Sequence, residues 1–212
     1  MKVIAINGSP RKGWNTHILL EKALEGAQSN GAETQMVNLY DLDFKGCIGC
    51  LGCKLKTNEP RCVINDVLKP ILDACHTCDA IVFGSPIYLS EVTGELRSFI
   101  ERLLFQYVSY DNMGERLFTG NVKSAFIFTT NCPEPAYDKV GYTQLFEGYK
   151  KVMERFYGNC EILAVSETLQ TNDYDKFRMA MFDVPDRQRR LREVFPQDCE
   201  KAFEIGRRLA TQ

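Results

Sequence analysis

The chain has 212 residues, 44% of them hydrophobic and 25% charged, the make-up of a globular protein long enough to bury a substantial core in one domain. Its 26 Lys and Arg stand against 28 Asp and Glu, a formal net charge of −2, so no basic surplus points to nucleic acid as a partner. No apolar run approaches the roughly eighteen residues that a membrane span requires.

The opening MKVIAING passes straight into a strand pattern, without the apolar region and cleavage site of a secretory leader. A cytoplasmic protein is expected. Residues 2–7 form a short β-branched run that reads as a buried strand. Residues 16–27 place Ile18, Leu19, Ala23, Leu24 and Ala27 at helical spacing, with Asn15 or Thr16 available as N-cap. A second strand is expected over 33–40, a helix over 66–75 interrupted early by Pro70, and a third strand over 79–88 running into a Gly-Ser-Pro turn. Residues 94–107 read as an amphipathic helix with Leu96, Phe99, Ile100, Leu103 and Leu104 on one face. A strand over 122–131, a helix over 142–157, a strand over 160–169 and a helix over 198–210 complete the pattern. This alternation predicts an α/β protein, a three-layer sandwich with a five-stranded parallel sheet between helices. With no repeat or linker in view, a single domain over 1–212 is expected.

In such sheets ligands bind beyond the carboxyl ends of the strands. The first of these loops lies in INGSPRKGWNTHILL, residues 6–20. Gly8 to Gly13 has the frame of a P-loop, but Trp14 and Asn15 stand where its lysine and magnesium-binding hydroxyl belong. The dinucleotide pattern G-x-G-x-x-G is absent as well. What remains suits a single terminal phosphate: a hydroxyl from Ser9, a fixed cation from Arg11, and side chains and free amides of Asn15 and Thr16 at a helix N-terminus. The plainer reading is an ordinary turn before a capped helix.

GSPRKGWNT resembles the phosphate loop of the NADPH-dependent FMN reductases, a flavodoxin-like family, and GSPIYLSEVTGELRSFIER, residues 84–102, resembles that family's second signature. The resemblance covers the first 130 residues well and the remainder in outline. It implies FMN as cofactor and NAD(P)H as transient donor, with Ser9, Arg11, Asn15 and Thr16 on the FMN phosphate. Pro86, Ile87 and Tyr88 would lie against the isoalloxazine, where a Pro-apolar-aromatic turn offers a flat, dry surface. Ile87 and Tyr88 as plain core anchors are the alternative. The third flavin loop departs from the family's glycines. It carries Thr129 and Thr130, whose hydroxyls are candidate flavin contacts, then Asn131, Cys132 and PEPAYDKVGY, a run that reads as a lid, a subunit contact or an ordered surface loop. The family also implies a homodimer or homotetramer with flavins near the subunit interfaces.

Cys47, Cys50 and Cys53 follow the second strand at even spacing, and Cys62 lies nine positions further on. C-x2-C-x2-C is how one loop wraps three corners of a cubane cluster while a fourth thiolate closes it, and Gly46, Gly49 and Gly52 permit the tight turns. This resembles the iron-sulfur flavoproteins of the same family, in which the last gap is shorter; the resemblance makes a [4Fe–4S] cluster facing a neighbour's FMN one reading. Packing or redox thiols without metal, and a structural zinc, are the others. Cys75 and Cys78 read as core packing, Cys160 and Cys199 as structural, and Cys132 lies near the flavin loops in sequence. His17 and His76 have no matching catalytic partner. Arg187, Arg189, Arg190 and Arg192 suit a solvated helix face, a subunit contact or the 2′-phosphate of NADPH.

The function expected from these features is FMN-dependent electron transfer between a donor and an acceptor, each a small molecule or a protein. No side chain is required as general acid or base, so no catalytic residue is singled out. A cluster-free NAD(P)H:flavin or quinone reductase, a non-enzymatic flavodoxin-type carrier and a flavin-free regulatory module on the same fold are the alternatives.

Overall fold

The computed structural model describes residues 1–112 and 114–211. Its strands are β1 (Lys2–Asn7), β2 (Glu33–Asn38), β3 (Ala80–Pro86), β4 (Lys123–Thr129) and β5 (Cys160–Val165). The helices are α1 (Asn15–Ser29), α2 (Lys69–Thr77), α3 (Gly94–Phe105), α4 (Tyr137–Val140), α5 (Tyr142–Tyr157), α6 (Val184–Glu193) and α7 (Phe195–Leu209). All strand pairs are parallel, in the order β2-β1-β3-β4-β5. This is the flavodoxin-like arrangement, in which the order reverses between β1 and β3 and opens a crevice at their carboxyl ends.

Period-two alternation divides each strand between two cores. Ile4, Ile6, Ile81, Phe83, Phe126 and Phe128 face α2, α3 and α5, with Phe126 stacked between Phe83 and Phe128 at 5.0 and 4.7 Å. Val3, Ala5, Val82, Ala125 and Ile127 face α1 and α7. These two helices cross backbone to backbone: a Cβ on Gly26 would lie 1.9 Å from the Phe203 carbonyl oxygen, and one on Gly206 would lie 1.7 Å from that of Ala23. No side chain fits at either crossing.

Several local expectations are corrected. Neither Asn15 nor Thr16 caps α1; Trp14 occupies the cap position without a side-chain bond, and both polar residues lie in the first turn. Pro70 sits in the first turn of α2, where its missing N–H breaks no helical bond. β5 ends at Val165, and α6 was not anticipated because VPDRQRRLRE is polar on nearly every face. The PEPAYDKVGY run folds into helical turns with Tyr137 buried against Phe146. Among the described residues no helix is long and apolar enough to cross a membrane.

Candidate functional site

The loop after β1 is shaped by its own polar side chains. Asn7, fully buried, accepts the Ser9 N–H at 3.0 Å and donates to Asn38 at 2.9 Å, while Ser9 Oγ accepts the Arg11 N–H at 3.1 Å. Gly8 passes so close to α3 that a Cβ there would meet Leu96 Cβ at 2.7 Å. Thr93 caps α3 and stitches the first two loops together. Its hydroxyl donates to the Gly8 carbonyl at 2.6 Å and accepts the Leu96 N–H, and its own N–H donates to Ser85 Oγ at 3.1 Å.

Beyond the carboxyl ends of β1, β3, β4 and β5 lies a cleft of about 310 Å³. Ser9, Arg11, Asn15, Thr16, Pro86, Ile87, Tyr88, Thr129 and Thr130 all line it, so both sequence motifs and the third loop are brought to one place. Thr16 and Thr129 share a hydroxyl hydrogen bond of 2.8 Å. Ile87 packs against the core beneath, whereas Tyr88 is 47% exposed and faces the cleft. Ile87 thus fits both of its sequence readings; the exposure of Tyr88 is not that of a core anchor.

The turn that carries Tyr88 is strained. Tyr88 and Glu91 exchange N–H···O bonds of 2.8 and 3.0 Å, with Leu89 and Ser90 between them at φ 49° and 62°. Both therefore adopt the left-handed conformation that a two-residue primed turn demands and that favours glycine or asparagine. Leu89 is fully exposed at the tip. The Tyr149 hydroxyl donates to Glu91 at 2.6 Å and fixes the base of the turn.

The far wall was not legible in the sequence. It comes from the segment after β5, where Thr168 to Thr171, Phe177 and Met179 line the cleft. Arg11 Nη1 donates across the cleft to the Gln170 carbonyl at 2.6 Å, with its guanidinium 4.1 Å above the Trp14 ring, and Asn15 Nδ2 donates to the Leu169 carbonyl at 2.7 Å. Behind this wall Glu167 is paired with Arg190 at 3.2 Å and Arg187 at 3.7 Å, and Arg187 Nη2 donates to the Asn131 carbonyl at 3.0 Å. Arg189 pairs with Asp186 and Glu193. Arg187 and Arg190 are thus engaged within the fold, Arg187 in its interior, whereas Arg189 makes its pairs on the exposed face of α6.

The cysteine loop forms a second place. Cys47, Cys50, Cys53 and Cys62 line one small recess against the last turns of α3, together with Arg102 and Gln106. Gln106 accepts the Cys62 N–H at 2.8 Å. Lys54 donates to the carbonyls of Phe105, Gln106 and Val108 at 2.5, 3.1 and 2.7 Å, a cation closing a helix C-terminus. Arg102 holds the Asp66 carboxyl below its ordinary range, and burial pushes the Cys53 thiol up while Lys54 opposes the shift. Of the three glycines, only Gly49 takes a positive φ; the other left-handed residue here is Leu51.

Among the described residues no three His, Cys, Asp or Glu side chains stand as a ready single-ion site. The four thiols line the recess without forming such a group. Tetrahedral zinc, with Zn–S near 2.3 Å, would need sulfurs about 3.8 Å apart. No residue lining the recess lines the cleft.

The remaining candidates are packing groups. Cys75 and Cys78 are buried, and desolvation pushes Cys78 up to about 12 and Cys75 higher still, so neither is a reactive thiol. Cys160 is buried, Cys199 half-buried. Cys132 is half-buried outside the cleft, its N–H given to Thr130 Oγ1 at 3.0 Å. His17 lies between Asn7 and Glu21, and His76 bonds the Tyr107 hydroxyl at 2.8 Å.

A flavodoxin-like sheet with its cleft at the β1/β3 crossover defines the class, and comparison with known proteins narrows it. Residues 1–127 match the NADPH-dependent FMN reductase family, and the chain belongs to it. An iron-sulfur flavoprotein from Methanocaldococcus jannaschii is 39% identical over 102 residues, covering 48% of this chain and 51% of that protein. One from Archaeoglobus fulgidus is 36% identical over 124 residues, covering 58% and 59%. The chain thus spans roughly half the length of the curated relatives it matches. Among solved structures, an NAD(P)H:quinone oxidoreductase from Methanothermobacter marburgensis superposes with a TM-score of 0.74 at 15% identity, over 99% of this chain and 98% of that one. That likeness is one of fold.

Proposed function

We propose that this protein is a cytoplasmic FMN-dependent oxidoreductase, one FMN-binding domain over residues 1–212, that accepts electrons from NAD(P)H. It passes them through FMN, and through a [4Fe–4S] cluster on Cys47, Cys50, Cys53 and Cys62, to a small-molecule or protein acceptor. The observation that carries the reading is the meeting of both flavin motifs in one cleft at the sheet's crossover. When bound, FMN supplies hydride and single-electron chemistry at its ring. Everything else is binding and orientation by the chain.

Arg11 and Ser9 hold the phosphate. Only one of the guanidinium's five donors is committed to Gln170, so others remain for an anion, and stacking on Trp14 fixes the plane. Asn15 and Thr16 add polar contacts at the α1 N-terminus. Pro86, Ile87 and Tyr88 cover one side of the isoalloxazine and exclude water, while Thr129 and Thr130 offer hydroxyls to it.

For the cluster, the support is the donor set: four thiols around one dry recess, cations on two sides, and iron-sulfur flavoproteins among the relatives. Thr93, the cap of α3 that ties the first two cleft loops together, and Arg102 at the recess are nine residues apart, about 14 Å of helix rise. This separation favours a homodimer or homotetramer in which the recess faces a neighbour's flavin.

The experiment is anaerobic purification with visible spectroscopy, FMN, iron and sulfide analysis, and an NAD(P)H oxidation assay. Yellow protein without iron or sulfide after reconstitution would leave a cluster-free flavin or quinone reductase. Bound FMN with no NAD(P)H oxidation would leave an electron carrier.

A further inference from the structure

Arg102 lies near the end of α3 with its side chain only 1% exposed. Its Nη1 donates to the Lys45 carbonyl at 3.2 Å and to Asp66 Oδ2 at 2.6 Å, and its Nη2 donates to Asp66 Oδ1 at 3.0 Å. Lys45 precedes Cys47 and Asp66 follows Cys62, so one guanidinium gathers both ends of the cysteine loop. Its remaining Nε–H is buried and has no partner. A charged donor left unsatisfied in a dry place is costly, and native proteins seldom keep one without a reason.

The surroundings supply a reason. Arg102 lines the same recess as the four thiols. The backbone of Cys62, the cysteine separated from the others by the longest gap, is fixed by Gln106, just past the end of α3. Gln106 thus anchors the fourth cysteine while the Arg102 guanidinium stands beside it in the recess.

We propose that Arg102 is a positioning residue of the four-cysteine site, whose free Nε–H is held for a sulfur of a bound [4Fe–4S] cluster and raises the cluster's reduction potential. This rests on the cluster reading above. Reduction adds one electron to an already anionic group. A fixed cation with an N–H free for a cluster sulfur stabilises the more negative state, and hydrogen bonds to the sulfurs are among the levers that set such potentials. A clasp that merely closed the loop would need the bonds to Lys45 and Asp66 and would leave the potential indifferent to Nε.

The test compares reconstituted wild type with Arg102→Lys, which keeps a cation beside Asp66 and removes the Nε–H. Both are titrated anaerobically with dithionite and followed by electron paramagnetic resonance. With iron and sulfide at wild-type levels, the variant's oxidised-to-reduced ratio at the wild-type midpoint should rise roughly tenfold, a downward shift of about 59 mV for one electron. An unchanged midpoint in a fully loaded variant overturns the inference and leaves the cluster reading standing. Wild type grown with ¹⁵N-arginine gives a second readout that survives a variant that does not fold. Its reduced cluster should show nuclear coupling to arginine nitrogen, and absence of that coupling also overturns the inference. Wild type that binds neither iron nor sulfide sinks both readings.

Discussion

Thr16 and Thr129, 113 positions apart in the chain, share a buried hydroxyl hydrogen bond of 2.8 Å that ties the first turn of α1 to the end of β4. Two hydroxyls need only one proton between them, so the second is left to point elsewhere. The bond closes the cleft at its base. Thr16→Val or Thr129→Val alone leaves its partner's hydroxyl buried and unpaired, a loss of about 1–3 kcal/mol. The double variant should lose less than the sum. Urea denaturation of the four proteins measures this, and additive losses would show that the hydroxyls do not share a bond.

Arg11 braces the wall at Gln170 and is proposed to hold the FMN phosphate, and ligand choice separates the two. Arg11→Ala should weaken FMN ten- to hundred-fold, about 1.5–3 kcal/mol for a charge-assisted bond. Riboflavin, which lacks the phosphate, should be nearly unaffected. Equal losses in a fluorescence titration would mean that Arg11 acts only by tying down the wall at Gln170.

Tyr88 calls for the opposite pattern. If its ring covers the isoalloxazine, Tyr88→Ala weakens FMN and riboflavin by the same factor and reduces the quenching of flavin fluorescence. Unaltered quenching and affinity would restrict Tyr88 to shaping its own turn.

Much of this was readable from the sequence. β1 and α5 begin and end where their periodicities place them, because a β-branched run and a 3.6-residue apolar stripe each leave one favourable structure. The motif residues converge because the sheet order forces the loops after β1, β3 and β4 into one crevice. The far wall was hidden for a physical reason. It contributes backbone carbonyls at Leu169 and Gln170, which any side chains could accompany, from a segment without periodicity. Helix α6 was hidden because two of its arginines, Arg187 and Arg190, make their contacts inside the fold, with Glu167 and Asn131, and nothing in a charge run distinguishes that from solvation. Asn15 and Thr16 read as caps because polar residues before an apolar helix usually are; here both side chains turn across the cleft instead.

The turn at Leu89 and Ser90 predicts a gain. Left-handed backbone is unfavourable for non-glycine residues by roughly 1–2 kcal/mol each, and Asn-Gly is the pair that suits a primed turn. Leu89→Asn with Ser90→Gly should raise the urea midpoint of the protein. No increase would show that the two residues carry no strain.

The Asp66–Arg102 pair predicts a pH dependence. The folded carboxyl titrates below its ordinary value, so as pH falls the unfolded chain takes up this proton first. The stabilisation is fully present above the unfolded value of about 3.9 and is lost as pH drops through the depressed folded one. The stability gap between wild type and Asp66→Asn should therefore be widest near neutrality and narrow in acid. A gap of constant width would remove the ion pair as its source.

The crossing of α1 and α7 at Gly26 and Gly206 also sets an order of events at the ribosome. Chains acquire structure from the N-terminus as they emerge, so the phosphate loop and α1 are exposed long before the helix that covers them. The carbonyls of Leu169 and Gln170, which brace Arg11 and Asn15, follow late too. A nascent chain therefore offers the cleft with one wall missing and its supporting helix uncovered. Completion of the cleft is tied to the arrival of α7, and whatever the cleft binds meets finished walls only once synthesis has passed that helix.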